Sequence, residues 1–320
     1  MDRILLTGAT GVVGRRVLPL LVSAGHPVSA VSRTPEQAEL LRAVGATPVS
    51  MDLFDPASVR AAVAGHGAVI NLATHMPPST VRMLFRRSWR ENDRIRREGS
   101  ANLAGAAASA GVGCFIQESF APIHAEAGDR WIDEQWPVRP SVYNRTALDA
   151  EASVERYARG GGTGVVLRFA WFYGPDPVLR TMLEGVRKGW GPLPGAPNAY
   201  WSSVSNEDAA SAVVAALGAP GGIYEVCDDE PVTRKEFSEV CARVLGVPAP
   251  RPLPRWLTVL GGGILELMSR SLRLSNAKLR ASSGWSPRWR SVREGMPEAA
   301  AQLGLARARA PAREQVRAPG

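Results

Sequence analysis

Ile4-Leu5-Leu6-Thr7-Gly8-Ala9-Thr10-Gly11-Val12-Val13-Gly14 opens the chain: an apolar run that reads as a strand, then a glycine-spaced turn, then an apolar helical pattern from Val17. Three glycines at this spacing point to a dinucleotide-binding turn. Gly8 permits the sharp bend, Gly11 lets the backbone approach a pyrophosphate, and Gly14 lets the helix pack close to the strand. The helix start offers its N–H groups to the phosphates, so Thr10, Val12 and Val13 join the glycines as expected cofactor-binding positions. Gly25-His26-Pro27 and the apolar run Val28 to Val31 complete a strand, helix, strand unit of the length a right-handed crossover needs.

The residue closing the second strand selects the dinucleotide, because an acid there bonds free ribose hydroxyls and a cation accepts a 2′-phosphate. Here it is Ser32-Arg33, with the nearest acid at Glu36. NADP(H) is favoured, with Arg33 pairing the extra phosphate, and NAD(H) is the other candidate.

Further along, Pro35 to Val44 reads as a helix and Thr47 to Met51 as a third strand. Asp52-Leu53 follows, where the acid either lies at the adenine edge or caps a helix from Pro56 to Val63. Ala68 to Ile70 reads as a fourth strand, ending in Asn71-Leu72-Ala73-Thr74-His75, with Leu72 and Ala73 at the cofactor edge of the sheet. A long helix over Asn92 to Ala110, a fifth strand over Val112 to Gln117, a helix over Tyr143 to Tyr157, and strands at Gly164 to Phe169 and Gly222 to Val226 complete the pattern. This alternation predicts an α/β fold: a Rossmann-type doubly wound parallel sheet of about seven strands. The expected organisation is a dinucleotide-binding domain over 1–175, to which the strand near 222–227 returns. A smaller, mainly helical substrate lobe over 176–300 and a disordered tail over 302–320 follow.

The formal charge of +8 does not read as a nucleic-acid footprint. Of 38 basic residues only Lys188, Lys235 and Lys278 are lysines, and the arginine run from Arg82 to Arg97 has acids nearby and few stacking aromatics. It reads as a solvated face or cofactor-side rim. Cys114, Cys227 and Cys241 have neither metal-ligand nor disulfide spacing, and the four histidines lack metal-ligand spacing. The chain enters its first strand at once, and the apolar stretch Leu257 to Met268 is too short to span a bilayer, so cytoplasmic residence without a membrane partner is expected.

Taken together, the turn, Asp52-Leu53, Asn71-Leu72-Ala73, Cys114 to Ser119, Tyr143, Leu167 to Pro175 and Ser203 to Ala210 resemble the extended short-chain dehydrogenase/reductase superfamily, in particular its NAD(P)-dependent epimerase/dehydratase-like members. The resemblance covers about residues 3 to 300. It implies a Tyr general acid/base, a Lys four residues later that lowers the phenol pKa and bonds the nicotinamide ribose, and a hydroxyl at the end of the fifth strand. Tyr143 matches the Tyr, but Ala147 stands in the Lys position, and no Lys occurs before Arg187. Ser119 is the candidate hydroxyl, in a register that could instead place Phe120 there. His124 and His75, expected in loops at the carboxyl edge, are candidates to replace the missing chemistry.

The expected activity is an NADP(H)-dependent oxidoreductase or epimerase-like enzyme acting on a carbonyl/alcohol carbon of a small molecule by hydride transfer. Tyr143 handles the proton, with Ser119 or His124 assisting. Two alternatives stand because of Ala147: a non-enzymatic NADP(H)-binding sensor, and a redox-neutral isomerase or dehydratase. The resemblance also implies a homodimer built on paired long helices.

Overall fold

The computed structural model describes residues 2–77, 80–251 and 262–306. Seven strands form one sheet, and every neighbouring pair is parallel. In spatial order they are Gly222–Val226, Thr163–Phe169, Cys114–Phe120, Ala68–Asn71, Ile4–Thr7, Val28–Ser32 and Thr47–Ser50. Parallel strands need crossovers, and the helices that make them cover both faces, which explains why the central strands are continuous apolar runs. Ile4, Leu6, Ile70 and Ile116 pack into one core with Val17, Leu18 and Leu21 of the helix Gly14–Ser23. Leu5, Val69 and Phe115 face the opposite core with Leu103 and Ala107 of Ser100–Ser109 and Val154 of Thr146–Arg159. The order of connection reverses between Ile4–Thr7 and Ala68–Asn71, and in such sheets ligands bind in the crevice beyond the strands' carboxyl ends at that reversal.

A second core gathers Leu179, Leu183, Trp201, Phe237, Val240 and Met296 from the C-terminal half. That half of the chain is mainly helical: Pro177–Arg187, Arg234–Leu245, Gly262–Ser269, Ala277–Ser283 and Val292–Gln302, of which the first, second and last build this core.

Several boundaries differ from expectation for local reasons. The first helix starts at Gly14 and not at Val17, because its first turn carries Arg15 and Arg16 before the apolar face begins. The long helix expected over 92–110 is Arg90–Arg94, a π turn over Ile95–Gly99 and Ser100–Ser109. The fifth strand runs three residues past Gln117, to Phe120. The helix expected from Tyr143 begins at Thr146, because Ser141 and Asn144 hold a turn before it, the Ser141 N–H donating to Asn144 Oδ1 at 2.8 Å. Residues 303–306 are not tail: Leu305 is buried, and the carbonyls of Leu303 and Leu305 accept from Arg180 and Arg187. The rest of the expected tail, 307–320, lies outside the described residues, as does the first part of the apolar stretch 257–268. Among the described residues no helix is long and apolar enough to cross a membrane.

Candidate active site

The glycine turn adopts the cradle its spacing requires. Gly8 has φ +68°, and a Cβ there would run into the Leu72 carbonyl at the end of the fourth strand. A Cβ on Gly14 would collide with the Gly8 carbonyl, so the close strand–helix approach depends on both glycines. The Gly11 N–H closes the turn on the Gly8 carbonyl at 2.9 Å. No side chain caps the helix Gly14–Ser23, and Thr10, Gly11 and Val12 are exposed beside its start, while Val13 is partly buried. An uncapped helix start beside an open glycine loop fits a pyrophosphate.

Around this cradle lie the other expected positions. Arg33 is exposed at the end of the second strand, its N–H held by Gln37 Oε1 at 3.0 Å and its guanidinium in no ion pair among the described residues. Asp52 does not cap the next helix. Its Oδ1 accepts from the Phe54 N–H at 2.9 Å, and the cap of Pro56–Val63 is Asp55. The Leu53 carbonyl accepts from Asn102 at 2.8 Å. Leu72 is buried, and the Ala73 N–H donates to Asn71 Oδ1 at 3.2 Å. Asn71 also accepts from Thr7 and donates to Gln117, so one hydrogen-bonded chain fixes the carboxyl ends of the first, fourth and fifth strands at the crevice.

Tyr143 lies in the turn ahead of its helix, 8% exposed, with its hydroxyl donating to the Leu84 carbonyl at 3.1 Å. Its ring meets Trp89 edge-on at 5.9 Å and packs with Ile264, Leu267 and Phe120. Phe120 in turn meets Trp171 at 5.1 Å, and Trp171 stacks on Trp201 at 4.6 Å. Ala147 is fully buried and brings no charge to the phenol. Thus the wall around Tyr143 is aromatic and aliphatic.

Ser119 and His124 are drawn elsewhere. Ser119 is fully buried, and its hydroxyl donates to Glu151 at 2.6 Å. His124 is not in an open loop: it is fully buried, with one ring nitrogen 2.7 Å from Glu225 and the other 3.1 Å from the Trp136 carbonyl. Arg168 joins the two, forking onto Glu151 at 2.9 and 2.7 Å and lying 3.5 Å from Glu225. Burial pushes the Glu225 carboxyl above its usual range, offset by the His124 contact and the Arg168 charge. Opposite charges so closely matched compensate one another's desolvation, which reads as bracing between the fifth, sixth and seventh strands. His75 is exposed, and its N–H donates to Asn92 Oδ1 at 3.0 Å.

One pair at the crevice escaped sequence reading. Arg96, within the arginine run expected to be solvated, is 4% exposed and donates from Nη2 to Glu118 Oε1 at 2.7 Å. Its Nε, Glu118 Oε2 and Asn92 Nδ2 are buried without a hydrogen-bond partner. Leaving such groups unmade costs about 1–3 kcal/mol each, so three together mark a place built for something polar. The signal available was Glu118 itself, a carboxylate in a strand, Cys114–Phe120, of the buried parallel sheet.

An open, glycine-cradled helix start at the switch point of a seven-stranded parallel sheet defines a Rossmann-type dinucleotide-binding protein. The chain belongs to the NAD(P)H-binding family, which its residues 8–220 match, and with it to the extended short-chain dehydrogenase/reductase superfamily. It is 31% identical to a 3-diazoavenalumate denitrifying reductase from a Streptomyces species, over 92% of this chain and 99% of that one. It is 27% identical to a 2-alkyl-3-oxoalkanoate reductase from Shewanella oneidensis, over 83% and 72%. Among solved structures, a human epimerase family protein with NADPH superposes with a TM-score of 0.78 at 21% identity, covering 93% of this chain and 99% of that one. A Thermus thermophilus UDP-glucose 4-epimerase with NAD gives 0.73 at 24%, covering 94% and 99%.

Proposed function

We propose that this protein is an NADP(H)-dependent reductase that delivers hydride to a small-molecule electrophile carrying its own leaving group, of which a diazo-bearing carbon is the type. The observation that carries the reading is the apolar wall at Tyr143: Ala147 stands where the superfamily resemblance calls for an ammonium, and Ser119, the candidate hydroxyl, is turned onto Glu151, with Phe120 on that wall. Reduction of a carbonyl requires a proton as well as a hydride, and a positioned acid is worth about 10²–10⁴ in rate. Displacement of N2 from an aryl diazonium carbon requires none, because the hydride's charge cancels that of the diazonium. The full-length similarity to a denitrifying reductase supports the same choice.

In this reading Gly8, Gly11 and Gly14 with the loop Thr10 to Val13 hold the pyrophosphate, and Arg33 pairs the 2′-phosphate. Asp52 and Leu53 line the adenine side, and Leu72 and Ala73 back the nicotinamide. The reduced nicotinamide, when bound, supplies the hydride: a C–H bond forms, the C–N bond breaks with its electron pair leaving on N2, and the cofactor's two electrons balance the reduction. Trp89, Phe120 and Tyr143 exclude water and face a planar substrate, the Tyr143 hydroxyl orienting it by hydrogen bond. Ser119 and His124 belong to the buried network that braces the strands and touch no substrate.

Tyr143 also favours a second reading. Its phenol is a proton donor, and exchange of the Leu84 carbonyl for a substrate oxygen would make it the acid in reduction of a carbonyl carbon. One experiment separates the two. NADPH consumption is followed with a diazotised ortho-aminophenol and, separately, with a panel of aliphatic and aromatic ketones, for the native protein and Tyr143→Phe. The first reading expects N2 release matched to NADPH oxidation and persisting in the variant. Ketone turnover that the variant abolishes establishes the second, and absence of NADPH binding to folded protein sinks both.

A further inference from the structure

Three polar atoms, Asn92 Nδ2, Arg96 Nε and Glu118 Oε2, are buried without a hydrogen-bond partner. Asn92 and Arg96 are one helical turn apart and so share a face. The Asn92 side-chain Oδ1 accepts from the His75 N–H, just past the fourth strand. Glu118 stands one residue beyond Gln117, which pairs with Asn71, so the strand register sets Glu118 opposite Leu72. The segment carrying Arg96 packs along the helix that carries Ala147: Thr146 donates to Asp93 at 3.0 Å, and Arg97 lies 3.4 Å from Asp149. The segment carrying Arg96 thus lies alongside the helix start from which the superfamily's lysine is missing. An Arg–carboxylate pair normally closes with two parallel hydrogen bonds. Here Nη2 and Oε1 make one, and Nε and Oε2, a donor and an acceptor, are buried without a partner.

We propose that the Arg96–Glu118 pair anchors the nicotinamide ribose in place of the absent lysine, Arg96 Nε donating to one ribose hydroxyl and Glu118 Oε2 accepting from the other. Two adjacent hydroxyls each offer a donor and an acceptor, and they match the unpaired donor and acceptor of the pair. Arg96 and Glu118 are thus positioning residues for the coenzyme, not proton carriers. The inference rests on the cofactor assigned above, and it relocates a charge from one helix to its neighbour without changing the dinucleotide site.

The test is binding, not turnover. Dissociation constants for NADPH and for 2′,5′-ADP, which lacks the nicotinamide ribose, are measured by fluorescence titration and calorimetry on the native protein, Glu118→Gln and Arg96→Met. NADPH affinity is expected to fall roughly 10- to 100-fold in each variant, the loss of hydrogen bonds to charged groups, with 2′,5′-ADP affinity unchanged. Retained 2′,5′-ADP binding also reports a folded protein. If the buried Arg96→Met fails to fold, the isosteric Glu118→Gln carries the test alone. Equal loss of both ligands, or native NADPH affinity in a folded variant, overturns the proposal. Failure of the native protein to bind NADPH overturns instead the functional reading beneath it.

Discussion

Replacing Arg33 by Ala isolates the choice of dinucleotide. The side chain is exposed and in no ion pair among the described residues, while its own N–H is held separately by Gln37 Oε1, so the substitution removes a guanidinium and leaves the loop intact. A hydrogen bond to a charged group contributes about 1.5–3 kcal/mol, and solvent screening at an open site favours the lower end. That corresponds to roughly a tenfold weaker NADPH complex. NADH has no 2′-phosphate, so its affinity stays within about twofold on the same argument. Arg33→Asp goes further, placing an acid where ribose hydroxyls are read, and is expected to invert the preference. Titration of intrinsic tryptophan fluorescence with both coenzymes at fixed ionic strength measures the ratio. An unchanged NADPH-to-NADH ratio in Arg33→Ala refutes the assignment of Arg33, and with it the argument from Ser32-Arg33 to NADP(H).

Gly14→Ala drives a Cβ into the Gly8 carbonyl, and the expected result is loss of measurable NADPH binding together with a lower melting temperature. Tyr143→Phe should slow turnover of a diazo substrate less than about threefold, against about 10²–10⁴ if the phenol supplies a proton, read from steady-state kcat. Ser119→Ala should leave kcat unchanged yet destabilise by about 1 kcal/mol in chemical denaturation, because Arg168 still satisfies Glu151. Asp228 is held well above the usual carboxylate range, first by burial and then by the charge of Asp208. A carboxyl raised in this way stabilises the fold fully below its unfolded value near 3.8 and loses that contribution as pH rises through the folded value. Asp228→Asn, which keeps the neutral form, should therefore raise the melting temperature at pH 8, with the gain shrinking toward pH 4; a gain that is the same at all pH values would contradict this.

The strands were legible because burial on both faces writes itself as runs such as Ile4-Leu5-Leu6 and Ala68-Val69-Ile70. So was the coenzyme turn, since the φ of Gly8 and the contact at Gly14 exclude other residues. Periodicity misjudged the first helix because its opening turn is polar, and it misjudged the start at Tyr143 because a hydrogen-bonded turn imitates helical spacing. Polar burial was illegible. His124 finds Glu225 across 101 positions of chain, and Arg96 finds Glu118 across 22, and neither partnership leaves a local pattern. In isolation Arg96 looked like its solvated neighbours, and only the sheet's register brings Glu118 to it.

The π turn over Ile95–Gly99 carries a consequence for how such proteins diverge. One residue more or fewer in a helix rotates everything beyond it by about 100°, so a single insertion can swing an outward arginine into the interior. Evolution, or an engineer, could trade one reaction for another by phasing a helix, with no ligand-contacting loop redrawn. Deleting one residue from that turn would point the guanidinium back at water and, on the assignment proposed for Arg96, leave the nicotinamide ribose unheld.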